Sequence, residues 1–171
     1  MFLNIKEMEV RRIQFDESFE PGKIDFSDTG VRQAGPVRAV GWARLVADAG
    51  GEIQVTGRYS AAFEAECDRC LGPVEYSLEN NFDLFYRPPS ELAADEVKID
   101  EDEAEIGFYE GSGLELAEVI KEQILLALPM QKVCRDDCKG ICPYCGANRN
   151  EVDCRHSGKP ADDRWTALKN L

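Results

Sequence analysis

The chain has 171 residues, with 33 acidic side chains against 20 basic ones and a formal net charge of −13. That length holds one moderate core, or a small domain with an appendage, and that charge argues against bulk, non-specific attraction to nucleic acid. No apolar run approaches the roughly 20 residues of a membrane-spanning helix, and the opening residues MFLNIKEMEV lack the regions of a signal peptide, so a cytoplasmic protein is expected.

Residues 2–5 and 10–15 have the composition of short strands without a clean face. Residues 16–34 are polar and broken by Pro21-Gly22 and Thr29-Gly30, so mostly loop is expected there. From Val37 the pattern sharpens. Val37, Ala39, Ala43, Leu45 and Ala47 share one parity, and Asp48 to Gly51 is turn chemistry. Ile53, Val55, Tyr59, Ala61, Phe63 and Ala65 then alternate with polar neighbours. This period of two predicts a long antiparallel hairpin over 37–65. Val74, Tyr76, Leu78, Phe82, Leu84 and Tyr86 alternate again, which places Cys67-Asp68-Arg69-Cys70 in the turn between two strands.

Arg87-Pro88-Pro89 stops the run. Residues 91–110 carry nine acids against one base; 91–104 reads as a solvated linker, with a short strand near Ile106 and Phe108. Ser112-Gly113-Leu114-Glu115 has the form of a capping box. A helix should follow to Leu128 and end at Pro129, its Leu116, Ile120, Ile124 and Leu128 packed across the sheet. The predicted fold class is therefore α+β. A mainly antiparallel, barrel-like β half (1–90) precedes an acidic linker (91–110), one amphipathic helix (111–129) and a Cys-rich zinc-binding tail (130–171). The tail closes in a short helix striped by Trp165, Leu168 and Leu171.

Cys67, Cys70, Cys134, Cys138, Cys142, Cys145, Cys154 and the single histidine, His156, are eight soft ligands. Tetrahedral zinc takes four, so the count fits two zinc ions per chain, or one with four ligands spare. Cys142-Pro143-Tyr144-Cys145-Gly146 has the shape of a zinc knuckle, and Cys67 to Gly72 repeats it with the glycine one place later. The preferred division puts Cys67, Cys70, Cys134 and Cys138 at one metal and Cys142, Cys145, Cys154 and His156 at the other. The rival pairs the two knuckles, as in a zinc ribbon. Other uses of the thiols are an iron–sulfur cluster, a disulfide switch and free buried thiols. A catalytic zinc keeps a position open for water, and here protein ligands fill every position. No second histidine remains for acid–base or serine chemistry, and there is no Gly-rich phosphate loop or evident small-molecule site. A non-enzyme is expected.

These motifs resemble the YceD-like family, the large ribosomal RNA subunit accumulation proteins. The likeness rests on the Cys67-x-x-Cys70 turn, Leu125 to Pro129 closing the helix, and Cys134-x-x-x-Cys138-Lys139-Gly140-Ile141-Cys142-Pro143-x-Cys145-Gly146-x-Asn148-x-Asn150. It covers about residues 35–171. Relatives commonly have Cys-x-Cys where this chain has Cys154-Arg155-His156, a change that keeps ligand capacity, and leucine where it has Ile141 and Arg149. The resemblance implies a bacterial cytoplasmic role in accumulation or processing of large-subunit (23S) ribosomal RNA, with that RNA or a protein of its maturation machinery as partner. Contact with RNA would come from Lys132, Arg135, Lys139, Arg149, Arg155 and Lys159, with Tyr144 available to stack. The alternatives are a protein-binding module without RNA contact, which the net charge favours, and a thiol redox or zinc switch.

Overall fold

A computed structural model describes residues 1–47, 50–89 and 106–156. The 91–104 linker, Lys159 and the expected terminal helix lie outside the described residues. The backbone divides into two compact units: residues 1–64 with 75–129, and residues 65–74 with 130–171.

In the first unit, β2 (Ile13–Phe19), β4 (Val37–Leu45), β5 (Ile53–Glu66), β6 (Pro73–Arg87) and β7 (Ile106–Phe108) follow that order across one sheet, and β3 (Val31–Gln33) pairs with β5. The alternating residues of 37–65 form the expected antiparallel pair, with Ala43 opposite Val55 and Ala39 opposite Tyr59. β7 joins β6 in parallel, Phe85 opposite Ile106. Among the described residues the path does not close into a barrel.

The loop expected over 16–34 is instead partly strand. β2 runs on to Phe19 because Ile13, Phe15 and Phe19 share a parity and are all buried. Acids between and around them hide that pattern, and Asp16 is used across the ladder as a two-point partner of Arg38.

The expected capping box is also not what forms. Gly113–Glu115 is a strand, β8, paired antiparallel with β1 (Phe2–Asn4), and a short helix α1 (Ile5–Met8) follows β1. Glu115 is the helix N-cap without a side-chain cap bond, and α2 spans Leu116–Ala127. A non-local pairing has outcompeted a local cap. Gly113 permits it: a Cβ there would lie 2.0 Å from the Leu3 carbonyl oxygen. At the other end, Leu128 turns extended because the proline ring at 129 disfavours helical backbone in the residue before it.

The core of this unit is the common face of the sheet with one stripe of α2. Leu116, Val119, Ile120 and Ile124 are buried on the helix, and Val37, Ile53, Val55 and Phe63 on the sheet. The Tyr59 hydroxyl donates to the Gln123 carbonyl at 3.1 Å, tying β5 to α2. Gly41 and Gly57 face each other across β4 and β5. A Cβ would meet backbone first and then a ring: at Gly41 the Thr56 carbonyl oxygen at 2.2 Å and Phe15 at 2.7 Å, at Gly57 the Val40 carbonyl oxygen at 2.6 Å and Phe82 at 2.9 Å. No helix among the described residues is long and apolar enough to cross a membrane.

Candidate metal centre

Among its described residues the second unit carries almost no regular structure. Its order comes from two tight turns with the same geometry. The Cys67 carbonyl accepts the Leu71 N–H at 2.8 Å, and the Cys142 carbonyl accepts the Gly146 N–H at 2.8 Å. Both donors sit at positive φ, 59° for Leu71 and 71° for Gly146. In each turn the first sulfur faces backbone N–H groups, from Arg69 and Cys70 at Cys67 and from Tyr144 and Cys145 at Cys142. Two intervening residues are therefore what each turn needs to aim N–H dipoles at one thiolate.

Backbone bonds attach the tail to the first turn. Asp68 donates its N–H to the Lys132 carbonyl at 2.7 Å, and its carboxylate accepts the Lys132 N–H at 2.6 Å. Ile141 donates to the Arg69 carbonyl at 2.9 Å. Gly140, at φ 70°, lets that approach happen, since a Cβ would lie 2.9 Å from the Arg69 oxygen. An isolated bridge between Ile141 and Asn148 closes the second turn.

This scaffold sorts the eight candidate ligands into two groups, Cys67, Cys70, Cys134 and Cys138 in one, Cys142, Cys145, Cys154 and His156 in the other. Within each group the ligand atoms all lie within 4.8 Å of one another. The knuckles do not share a group. Cys67 and Cys138 sulfurs are 3.9 Å apart, Cys70 and Cys134 sulfurs 3.7 Å, and Cys142 Sγ lies 3.7 Å from His156 Nδ1. Four thiolates about 2.3 Å from one zinc would sit about 3.8 Å from each other. A disulfide needs about 2.05 Å, and all seven thiols are free. The donor sets fit a tetrahedral metal ion.

Burial gives a second reason to place metal here. The buried apolar side chains among the described residues of this unit are Cys67, Cys70, Cys138, Cys142 and Val74. Val133 packs partly buried against the first three. Four of the five buried groups are thus ligands, and one valine supplies only about 1.5–3 kcal/mol. Structural zinc in small peptides contributes about 10–16 kcal/mol. Cys134, Cys145 and His156 are exposed, so both groups have a face open to solvent.

The surroundings divide the thiols by acidity. Burial opposes ionisation of Cys67, but the N–H groups of Cys70, Arg69 and Cys134 overcome it and bring the thiol down to about 6. The Asn150 amide, 3.4 Å from Cys138 Sγ, lowers Cys138. N–H groups of Cys145 and Tyr144 bring Cys142 to about 6. Although the residue is exposed, its sulfur is partly desolvated by the packed thiols, and this and the neighbouring sulfurs push Cys134 up to about 12. In Cys70 and Cys145 an N–H, from Gly72 and Ala147, favours the thiolate, but desolvation of the sulfur and adjacent sulfurs outweigh it and raise both. Each group therefore offers some ready thiolates and others that ionise only when a cation arrives.

Asn150 is the residue that spacing alone did not single out. Besides Cys138, it accepts the Lys139 N–H at 2.9 Å, and its own N–H and amide donate to Asn148 Oδ1 at 3.0 and 2.8 Å. An asparagine a few residues beyond a knuckle is the available signal, because its amide both donates and accepts.

Of the side chains proposed for RNA contact, Lys139, Arg149 and Arg155 are exposed and make no ion pair with the described residues, and Tyr144 is 51% exposed with its ring 5.7 Å from that of His156. Lys132 and Arg135 are engaged by Asp68 and Asp137. Lys159 lies outside the described residues.

Fold and site together define an α+β protein whose second unit is organised around two Cys/His tetrads suited to metal. The chain belongs to the family of the large ribosomal RNA subunit accumulation protein YceD, whose profile matches residues 55–171. It is 36% identical over 121 residues to uncharacterized protein Rv2926c of Mycobacterium tuberculosis (strain H37Rv), covering 70% of this chain and 55% of that relative. Uncharacterized protein Mb2951c of Mycobacterium bovis matches to the same extent. The chain spans about half the length of these mycobacterial relatives. It is 25% identical over 170 residues to uncharacterized protein YlbN of Bacillus subtilis (strain 168), covering 98% of this chain and 92% of the relative. No solved structure matches the chain.

Proposed function

We propose that this protein is a zinc-stabilised, non-enzymatic cytoplasmic factor that supports accumulation or processing of large-subunit (23S) ribosomal RNA, and that its tail touches the RNA. Family membership supports the pathway. Zinc suits sulfur-rich tetrads better than magnesium or calcium, which take oxygen ligands. Four protein ligands in each group would leave no position for a reacting water, which supports a structural metal. The observation that carries the RNA contact is local. In a chain of net charge −13, the Lys139, Arg149 and Arg155 side chains stand exposed without an ion pair among the described residues, in the same unit as the exposed Tyr144. Free cationic side chains suit phosphate contact, and an exposed tyrosine suits stacking with a base.

The test is anisotropy of a labelled single-stranded fragment of large-subunit RNA against the full chain over a salt series. Each phosphate contact should contribute about 0.7 to the slope of log affinity against log salt, so Arg149→Ala and Arg155→Ala should each flatten it by that amount. Binding that ignores salt, or slopes unchanged in both variants, would remove the RNA contact. The net charge of −13 would then favour the second reading, a protein-binding module in the same pathway.

A further inference from the structure

The first unit carries an apolar groove whose described lining includes no residue of either tetrad. It runs between β7 and α2, has a volume of about 620 Å³, and its described lining residues fall between Tyr86 and Leu126. Leu114 and Val119, both buried, form part of its lining, as do Phe108, Leu125 and Leu126. Those last three are 70%, 39% and 75% exposed. Three large apolar side chains gathered at one groove mark an interaction site more than scattered surface leucines do.

The border of the groove selects the visitor. Glu110, Glu115, Glu118 and Glu122 line it, and among the described lining residues the one cation is Lys121. On α2, positions 118, 122 and 125 follow helical spacing, so two carboxylates lead directly into Leu125, and Glu115 precedes them at the N-cap. Glu115 and Glu118 also suit the helix N-terminus. The helix terminus gives no reason for Glu110, which follows β7, or for the exposed leucines. RNA would be repelled by these acids. A second copy of a chain with net charge −13 would be repelled as well.

We propose that this groove docks a basic amphipathic helix of a partner protein, its leucine-like anchors against Phe108, Leu125 and Leu126 and its lysines or arginines against the four glutamates. Anchors at helical spacing in an apolar groove are an established way to recognise a helix. The opposite charges set orientation and salt dependence.

The experiment uses the full chain and a fluorescent synthetic peptide of about 18 residues, leucines at helical spacing and lysines elsewhere. A second peptide replaces every lysine with glutamate. Anisotropy should show binding of the Leu/Lys peptide that weakens with salt, and none of the Leu/Glu peptide. Leu126→Gln, at a position 75% exposed, should weaken binding about tenfold. Glu118→Lys should weaken it and flatten its salt dependence, with circular dichroism unchanged in both variants. Equal binding by the wild type and both variants, or equal binding of the two peptides, would overturn the proposal. So would a dimer in sedimentation that Leu126→Gln dissociates, since a second copy would then be the occupant.

Discussion

Replacing Asn150 with alanine tests how the first tetrad is held. Asn150 is not a ligand. Its amide nitrogen lies 3.4 Å from Cys138 Sγ, its oxygen accepts the Lys139 N–H at 2.9 Å, and it is anchored on Asn148. It is also the largest influence holding Cys138 toward the thiolate. Asn150→Ala removes the donor and loosens the backbone next to Cys138 while leaving all eight ligands in place. Loss of such an outer partner lowers metal affinity about 10- to 100-fold, or about 1.4–2.7 kcal/mol. The second tetrad should keep its affinity, because Asn150 makes no side-chain bond to Cys142, Cys145, Cys154 or His156. Competition titration with a chromogenic zinc chelator resolves the two classes of site. One class should weaken and the other stay, with saturation at the wild-type stoichiometry. Asn150→Asp should lose at least as much, since a carboxylate beside thiolates repels where the amide donates. Wild-type affinity at both sites in Asn150→Ala would refute the reasoning.

Acidity gives a further check. Metal binding needs thiolates, and Cys134, held at about 12, must release a proton on binding at neutral pH, so affinity should rise with pH there. Cys67 and Cys142, at about 6, are already ionised at pH 7. As pH falls through about 6 they take up protons too, and affinity should drop more steeply than it does between pH 7 and 8. Equal slopes in a chelator titration would count against the assigned thiolates. Leu71 holds a left-handed φ of 59° where the second turn has Gly146, and its side chain is 61% exposed. Leu71→Gly should therefore raise stability to urea by roughly 0.5–1 kcal/mol, the relieved strain less the added chain entropy; a loss would mean that the leucine packs usefully. Gly41→Ala would place a Cβ 2.2 Å from the Thr56 carbonyl oxygen and 2.7 Å from Phe15 Cζ. It should cost at least about 2 kcal/mol in the same assay, and a variant of wild-type stability would show that β4 and β5 are spaced otherwise.

What the sequence showed depended on how local each feature is. Period-two alternation from Val37 to Tyr86 announced β4, β5 and β6 because one sheet face is buried along their length. β2 was hidden because Asp16, Glu17 and Glu20 surround Phe15 and Phe19, and their use, as with Asp16 and Arg38, appears only across the ladder. Ser112 to Glu115 read as a cap because cap and strand share short polar residues; the partner that decides, β1, is over a hundred positions away. The parallel pairing of β7 with β6 is non-local for the same reason. The ligand inventory could be counted from the sequence. How the tail folds back through Asp68, Arg69 and Gly140 could not be counted, and it decides which thiols meet.

The central claim is that two metal ions build the second unit, whose buried apolar side chains among the described residues are cysteines and one valine. Elemental analysis of freshly purified full chain, against protein concentration from amino-acid analysis, tests it most directly. The expected result is two zinc ions per chain, with loss of amide protection over 132–150 when they are chelated. Zero or one zinc per chain, or amides in 132–150 that stay protected after chelation, would contradict it.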